Sequence, residues 1–401
     1  MRKVPLRPAM WRWAAITIFL FSSALNYLDR QLLAAVAPSL RGEFHITNHE
    51  YGQIVSVFSI VYALVAPVAG WFIDRVGLDA GVSIAVLVWS AAGAATGLTH
   101  SFRGLLASRT LLGVAEAAGI PCFGKANAMY LEPRELALGT AFNQVGISIG
   151  LTAAPLVVAA VATVYGWRSS FLICGALGLI WVPLWLLTSR RIPARTLSKS
   201  ESGARFSDLL RDRRLWVLVI ATIFMMCLYT LWTNWTTLYF VEQWHLTQEE
   251  ANRRFAWIPQ IFSMLGGFFG GWIAFRWIRG GARVLATRMR LCWICAAATL
   301  VATAVIPLMP GTTLAAAAIS ISAFWAVSIT TNLYALPIDM FGPSRAAFGV
   351  AALTFAYGVM QTILSPAIGM VVDHYGFNTV CLGMSWMPLF GVWILSRSVV
   401  D

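Results

Sequence analysis

Apolar residues gather along this chain into long stretches separated by short polar breaks, without strand-like alternation. Twelve stretches stand out: 13–37, 51–73, 81–98, 103–129, 137–164, 168–188, 215–241, 252–275, 283–306, 312–338, 346–372 and 376–396. Each is long enough to cross roughly 30 Å of hydrocarbon as a helix. Only helices and closed barrels satisfy their backbone in lipid, and barrel strands alternate over about 10 residues. The pattern therefore predicts an all-α membrane protein of twelve transmembrane helices. One long polar segment, Ser189–Arg214, splits the spans into two sets of six. The expected organisation is an N-terminal six-helix bundle over 1–188, a cytoplasmic linker over 189–214 and a C-terminal six-helix bundle over 215–401.

The two sets echo each other. Gly70-Trp71-Phe72-Ile73-Asp74-Arg75 follows the second span, and Gly271-Trp272-Ile273-Ala274-Phe275-Arg276 follows the eighth. Pro155 precedes Tyr165-Gly166-Trp167, and Pro366 precedes Tyr375-Gly376-Phe377, at nearly the same spacing. Two matches in corresponding places support an internal duplication.

Composition agrees with the lipid reading: 59% of residues are apolar and 11% charged, against roughly half and a quarter in a soluble domain. The net charge of +12 raises the question of nucleic acid. With the N-terminus inside, however, only Arg41, Arg103, Arg168, Arg253 and Arg254 of the 29 Lys and Arg fall outside, and Arg30, Arg109 and Lys125 lie within spans. The rest, including Arg2, Lys3, Arg7, Arg12 and the Arg190–Arg214 and Arg276–Arg290 clusters, fall inside. That is the positive-inside asymmetry, so the charge reports topology and no nucleic-acid partner is expected. Both termini are expected to be cytoplasmic, the first apolar run being an uncleaved helix. Cys122, Cys174, Cys227, Cys292, Cys295 and Cys381 fall in predicted helices, and the lone Cys292-x-x-Cys295 pair reads as packing. His45, His49, His100, His245 and His374 all fall in outward-facing segments, which leaves any proton to a carboxylate. No metal site and no cofactor are expected.

Charges inside the spans carry the candidate chemistry, since each costs about 2.5–3.5 kcal/mol on insertion scales unless paired or hydrated. The first span holds Asn26-Tyr27-Leu28-Asp29-Arg30-Gln31, and the fourth holds Arg109, Glu116 and Lys125. Arg109 and Glu116 are seven residues apart, close to two helical turns, so one face carries both and must look into the bundle. Asp29 and Arg109 are expected to pair between the first and fourth helices. Arg30, about 100° further round, is expected to face elsewhere and offer its fork to a substrate carboxylate. A structural ion pair locking two helices is the plainer alternative, and Lys125 lies near enough to the inner end to snorkel.

These residues carry a family resemblance. Gly70, Asp74, Arg75 and Gly77 form a GxxxDRxG pattern that resembles the loop 2–3 signature of the major facilitator superfamily, with Phe275 in place of the aspartate in the second copy. Arg109-x-x-x-Gly113 resembles its helix 4 pattern. Asn26-Tyr27-x-Asp29-Arg30 is similar to the NYxDR element of the anion:cation symporter family, which includes bacterial hexuronate and galactonate transporters. Glu116-Ala117 with Pro121 and Lys125 is similar to that family's helix 4, and Asn332 with Asp339-Met340-Phe341 to its helix 10 end. The resemblance implies the major facilitator fold in a bacterial cytoplasmic (inner) membrane. It also implies Asp29 and Glu116 as proton-coupling carboxylates, with Arg109 as their partner, and Tyr27, Arg30 and Tyr62 on the substrate.

Neutral polar groups are expected to read the rest of the substrate: Asn143 and Gln144 in the first half, and Trp232, Asn234, Trp235, Thr330, Thr331, Asn332, Tyr357 and Gln361 in the second. Any one of them can equally be a helix–helix hydrogen bond. Gly146 and Gly150, and Gly266, Gly267, Gly270 and Gly271, read as close helix packing or bending. The expected function is proton-coupled symport of a small organic anion, a sugar acid such as a hexuronate or aldonate, by a monomer in a lipid bilayer. An exporter or exchanger of organic acids, or a monocarboxylate or aromatic-acid transporter, is the alternative. HExxH and paired intramembrane aspartates are missing, and no enzymatic activity is expected.

Overall fold

The computed structural model describes residues 9–132, 134–190 and 210–399. The linker and the basic residues before position 9 therefore lie mostly outside the described residues. Among those residues the chain is helical without strands, in the order α1 Ala9–Ala35, α2 Ala37–Phe44, α3 Asn48–Val76, α4 Leu78–Gly97, α5 Phe102–Glu116, α6 Gly119–Tyr130, α7 Leu136–Tyr165 and α8 Trp167–Ser189. There follow α9 Arg213–Met225, α10 Cys227–Asn234, α11 Thr236–Trp244, α12 Gln248–Ala251, a π turn over Asn252–Ala256, α13 Ile258–Arg279, α14 Val284–Ala304, α15 Thr312–Leu333, α16 Leu336–Phe341, α17 Pro343–Ser385 and α18 Met387–Val399.

Ten helices among the described residues are long and apolar enough to cross a membrane. One of the ten, Phe348–Arg397, holds two expected spans, parted at Gly376, whose φ of 74° and ψ of 173° are not helical. The 27-residue α1, which carries Asp29 and Arg30, is a further apolar helix beyond the ten. The chain is an all-α integral membrane protein.

Several spans read as continuous are broken, and proline accounts for two breaks. Pro121 cannot donate to the Ala117 carbonyl and its ring crowds it, so the fourth span parts at Ala117–Ala118, directly after Glu116. Pro337 parts the tenth span at Tyr334–Ala335 in the same way. The seventh span is interrupted at Met226 and Trp235.

The described residues divide into two units, one from Met1–Val36 and Ile60–Ser200, the other from Ala37–Ser59 and Glu201–Asp401. In the first, α1 packs on α7 and α4 on α8. A Cβ at Gly146 would sit 2.6 Å from the Leu20 carbonyl oxygen, and one at Gly150 would run into the Ala24 carbonyl and lie 2.8 Å from the Leu28 nitrogen. Near the start of α1 Arg12 donates to Glu132 and Glu135 at 3.2 and 3.0 Å. In the second, α13 packs on α15, and Gly266 and Gly270 face the backbone of Phe324 and Ser328. Residues 37–59 are held there by specific contacts. The Asp373 carboxylate accepts from the Asn48 and His49 backbone N–H groups at 3.0 and 2.9 Å, and Arg41 pairs with Glu242. Tyr51 donates to the Asn234 carbonyl at 2.9 Å.

The echoes extend into three dimensions. Gly166 and Gly376 take φ of 78° and 74°, a region that suits glycine, where one helix ends and the next begins. Tyr165 and Tyr375 just before them are 73% and 72% exposed, and Trp71 and Trp272 are 61% and 60% exposed. A further repeat is Phe44-His45-Ile46-Thr47-x-x-Glu50 and Trp244-His245-Leu246-Thr247-x-x-Glu250. Both histidines are left-handed, with φ of 52° and 55°. In each copy the threonine hydroxyl accepts from the glutamate N–H while the glutamate carboxylate accepts from the threonine N–H, a capping box. All six cysteines are buried and free of disulfides.

Because α1 meets α7 backbone to backbone at Gly150, Gly150→Val should cost about 1–3 kcal/mol through overpacking. Gly124→Ala, where nothing lies within 4 Å of a Cβ, should leave stability unchanged or raise it. Thermal unfolding of the two purified variants checks this; equal midpoints would refute the packing role.

Candidate functional site

The site in the first unit begins with the register of α1. Asn26 and Asp29, three residues apart, share one buried face, and Tyr27 and Arg30 share the next. From α5 come Arg109 and Glu116, 1% and 0% exposed, with Glu116 closing the helix at the proline-induced break.

Arg30 Nε donates to Glu116 Oε2 at 2.6 Å. This corrects the expectation that Arg30 turns away from the acids. A guanidinium on a long stem is not confined to the direction of its Cβ, so the 100° step does not take Arg30 out of reach of Glu116. The Arg30 guanidinium lies between two aromatic faces, 4.7 Å from the Tyr27 ring centre and 4.5 Å from that of Tyr62. Ring faces carry negative potential, so both favour the cation that the carboxylate already holds.

Asp29 is buried on the other side of α1 in a recess left by Gly93 of α4, where a Cβ would come within 2.8 and 2.9 Å of the two carboxylate oxygens. Arg109 lies over the Phe171 ring at 5.3 Å, and its charge acts on both Asp29 and Glu116. Cys174 of α8 completes the surroundings of Asp29. Two acids and two guanidinium groups thus lie together, with Asp29, Glu116 and Arg109 buried and the Arg30 side chain 20% exposed. One oxygen of each acid, Asp29 Oδ1 and Glu116 Oε1, is buried without a hydrogen-bond partner, as is Asn26 Nδ2. Gly93 and Phe171 went unread in the sequence, and Cys174 was read only as one of six helix cysteines; the run Ser90-Ala-Ala-Gly-Ala-Ala was the available signal that a larger group needed room.

Toward the end of α3 Lys125 Nζ donates to Asp74 Oδ1 and to the Ile73 carbonyl, both at 2.9 Å. Lys125 is thereby tied to the loop signature. Arg75 lies over the Trp71 ring at 5.7 Å, and Gly77 takes φ of 91° as it starts α4. Gly70 faces Pro121, which a Cβ would approach to 3.9 Å.

The other expected substrate contacts are distributed differently. Asn143 accepts from Ser23 at 2.5 Å, and Gln144 is exposed. In the second unit, Asn234 Nδ2 donates to the Thr230 carbonyl and Trp235 is fully buried, edge-on to Tyr51 at 5.1 Å. Trp232 Nε1 donates to Ser322 Oγ, and the Thr330 and Thr331 hydroxyls bond back to their own helix. Tyr357 lies 6.1 Å from Tyr229, ring to ring, and Gln361 is half-buried. Asn332 is fully buried, and both of its side-chain polar atoms are engaged: Oδ1 by Arg288, Nδ2 by the Gly270 and Ser328 carbonyls.

Comparison with known proteins identifies the family. The family model of the Major Facilitator Superfamily matches residues 19–365. A hexuronate transporter of Escherichia coli (strain K12) is 25% identical over 96% of this chain and 93% of its own length. A galacturonate transporter of Dickeya chrysanthemi is 31% identical over 65% of this chain and 81% of its own. Among solved structures, a bacterial homolog of the human lysosomal transporter Spinster, in an inward-facing and unoccupied conformation, superposes with a TM-score of 0.79. That structure is 18% identical and aligns over 99% of this chain and 95% of its own. With a model match spanning nearly the whole described chain and the same fold in a solved member of no close sequence, this chain belongs to the Major Facilitator Superfamily and is a membrane transport protein.

Proposed function

We propose that this chain is a proton-coupled symporter of sugar acids, hexuronates or aldonates, working by alternating access as a monomer in the bacterial cytoplasmic membrane with both termini inside. The observation that carries the reading is the buried Arg30–Glu116 pair between Tyr27 and Tyr62. The names of the hexuronate and galacturonate relatives support the substrate class.

The pair supplies a coupling rule. While Glu116 is ionised it occupies Arg30, and a substrate carboxylate must compete with it. A proton on Glu116 removes that competitor and leaves the guanidinium to pair the incoming anion bidentately. Proton and anion then enter together, and the buried charge stays balanced. Asp29, charge-coupled to Glu116 and Arg109, is the second proton-carrying group. Tyr27 and Tyr62 hold the guanidinium plane by their faces and offer hydroxyls to the sugar. The remaining candidates for hydroxyl recognition are Asn234, Thr331, Tyr357 and Gln361. The Asp74–Lys125 tie and Gly70, Arg75 and Gly77 form the conformational motif at the inner end.

In proteoliposomes, an inward proton gradient should drive accumulation of labelled hexuronate, and a protonophore should collapse it. Uptake indifferent to the gradient favours the exchanger or exporter reading instead. Arg30→Ala should abolish anion binding, whereas Tyr62→Phe, which keeps the ring, should weaken it by the worth of one hydrogen bond, about 0.5–1.5 kcal/mol. Calorimetry on the two variants decides, and undiminished affinity in the alanine variant removes Arg30 from the site.

The pH dependence has a definite sign. Wild-type affinity should fall as pH rises, because ionised Glu116 competes for Arg30. Glu116→Gln should flatten that dependence and lose proton-driven accumulation while retaining exchange of labelled for unlabelled substrate. Native accumulation in this variant would assign coupling to another group.

A further inference from the structure

The tenth span is cut by Pro337 into α15 and α16, and one side chain from α14 reaches both pieces. Arg288 Nε donates to Asp339 Oδ2 at 3.0 Å, beyond the break, and Arg288 Nη1 donates to Asn332 Oδ1 at 3.2 Å, before it. Asn332 passes the restraint on, donating through Nδ2 to the Gly270 carbonyl of α13 at 3.2 Å and to the Ser328 carbonyl at 3.0 Å. The side chains of Arg288 and Asp339 are each 17% exposed and Asn332 is fully buried. Gly270 permits the approach: a Cβ there would sit 2.8 Å from the Ser328 carbonyl oxygen. A proline break leaves a helix without its local hydrogen bonds and free to change its bend. A planar fork with donors on adjacent nitrogens fixes the distance between its two acceptors.

We propose that Arg288 is a positioning residue that clamps the Pro337 hinge, setting the angle between α15 and α16 and thereby the rate at which the loaded carrier changes state. The same geometry recurs in the first unit with different chemistry. Glu116 precedes Pro121 by five residues, as Asn332 precedes Pro337, and each accepts from an arginine on a neighbouring helix. In the first unit the acceptor is an acid that can take up a proton; in the second it is an amide that cannot titrate. The second hinge is held by a fixed restraint.

The test uses the purified full-length chain. In Arg288→Met, hydrogen–deuterium exchange of backbone amides in 333–342 should rise at least tenfold, with α9 and the first unit unchanged. Arg288→Lys should restore part of the protection through Asp339. Asn332→Leu should loosen the same amides, and combining it with Arg288→Met should add little. In proteoliposomes Arg288→Met should lower the maximal rate of substrate exchange at least tenfold while the half-saturating concentration stays within twofold. Unchanged protection over 333–342 in a folded Arg288→Met variant overturns the clamp, and so does a uniform rise across the second unit, which marks general loosening. Should Arg288→Met not fold, Arg288→Lys and Asp339→Asn carry the same comparison. If the wild type moves none of the sugar acids, the substrate reading fails, and the amide-exchange result still decides the clamp.

Discussion

A guanidinium or a carboxylate alone in hydrocarbon is expensive, and the site in this transporter depends on carrying them in as partners. Removing one member of such a pair leaves the other buried and uncompensated, which costs more than the pair contributes. The surroundings of Arg30 and Glu116 follow from that constraint. The break at Ala117 ends α5 at the acid, and two tyrosine faces flank the cation. On the far side of α1, the missing side chain at Gly93 gives Asp29 its recess. The arrangement is held by reciprocal need rather than by strength, and a change in charge on one group is therefore felt by the others.

Most of the fold was legible in the chain. Span length and the GxxxDRxG loop each report a property that one helix, or one turn between helices, expresses by itself. The pairing inside the site was less legible, because it depends on side-chain reach between helices. The angular step from Asp29 to Arg30 gives the direction of a Cβ, and Arg30 then bends its long stem to Glu116. The breaks at Ala117 and Tyr334 were present as Pro121 and Pro337, yet hydropathy alone runs straight through them. Arg288 was counted among the basic residues that set topology, since nothing local marks a cation whose partners sit 44 and 51 positions further along. Asn332, expected on the substrate, instead has its amide spoken for on both sides. An isolated polar residue in a span does not declare which neighbour will claim it.

Duplication is visible more plainly in conformation than in identity. The paired left-handed histidines, the two capping boxes and the glycines at 166 and 376 keep their geometry while the residues around them have diverged. What the halves share is where a helix starts, stops or bends. What they do not share is the pairing placed at those points: Arg30 on the Glu116 carboxylate in the first unit, Arg288 on the Asn332 amide and the Asp339 carboxylate in the second.

The interior placement of all six thiols has a practical side. A polar, membrane-impermeant maleimide has little to react with in the native protein. A single cysteine engineered at any water-facing position would therefore report its own accessibility without first stripping the natural ones, and labelling time courses with and without substrate would become a direct record of which surfaces open.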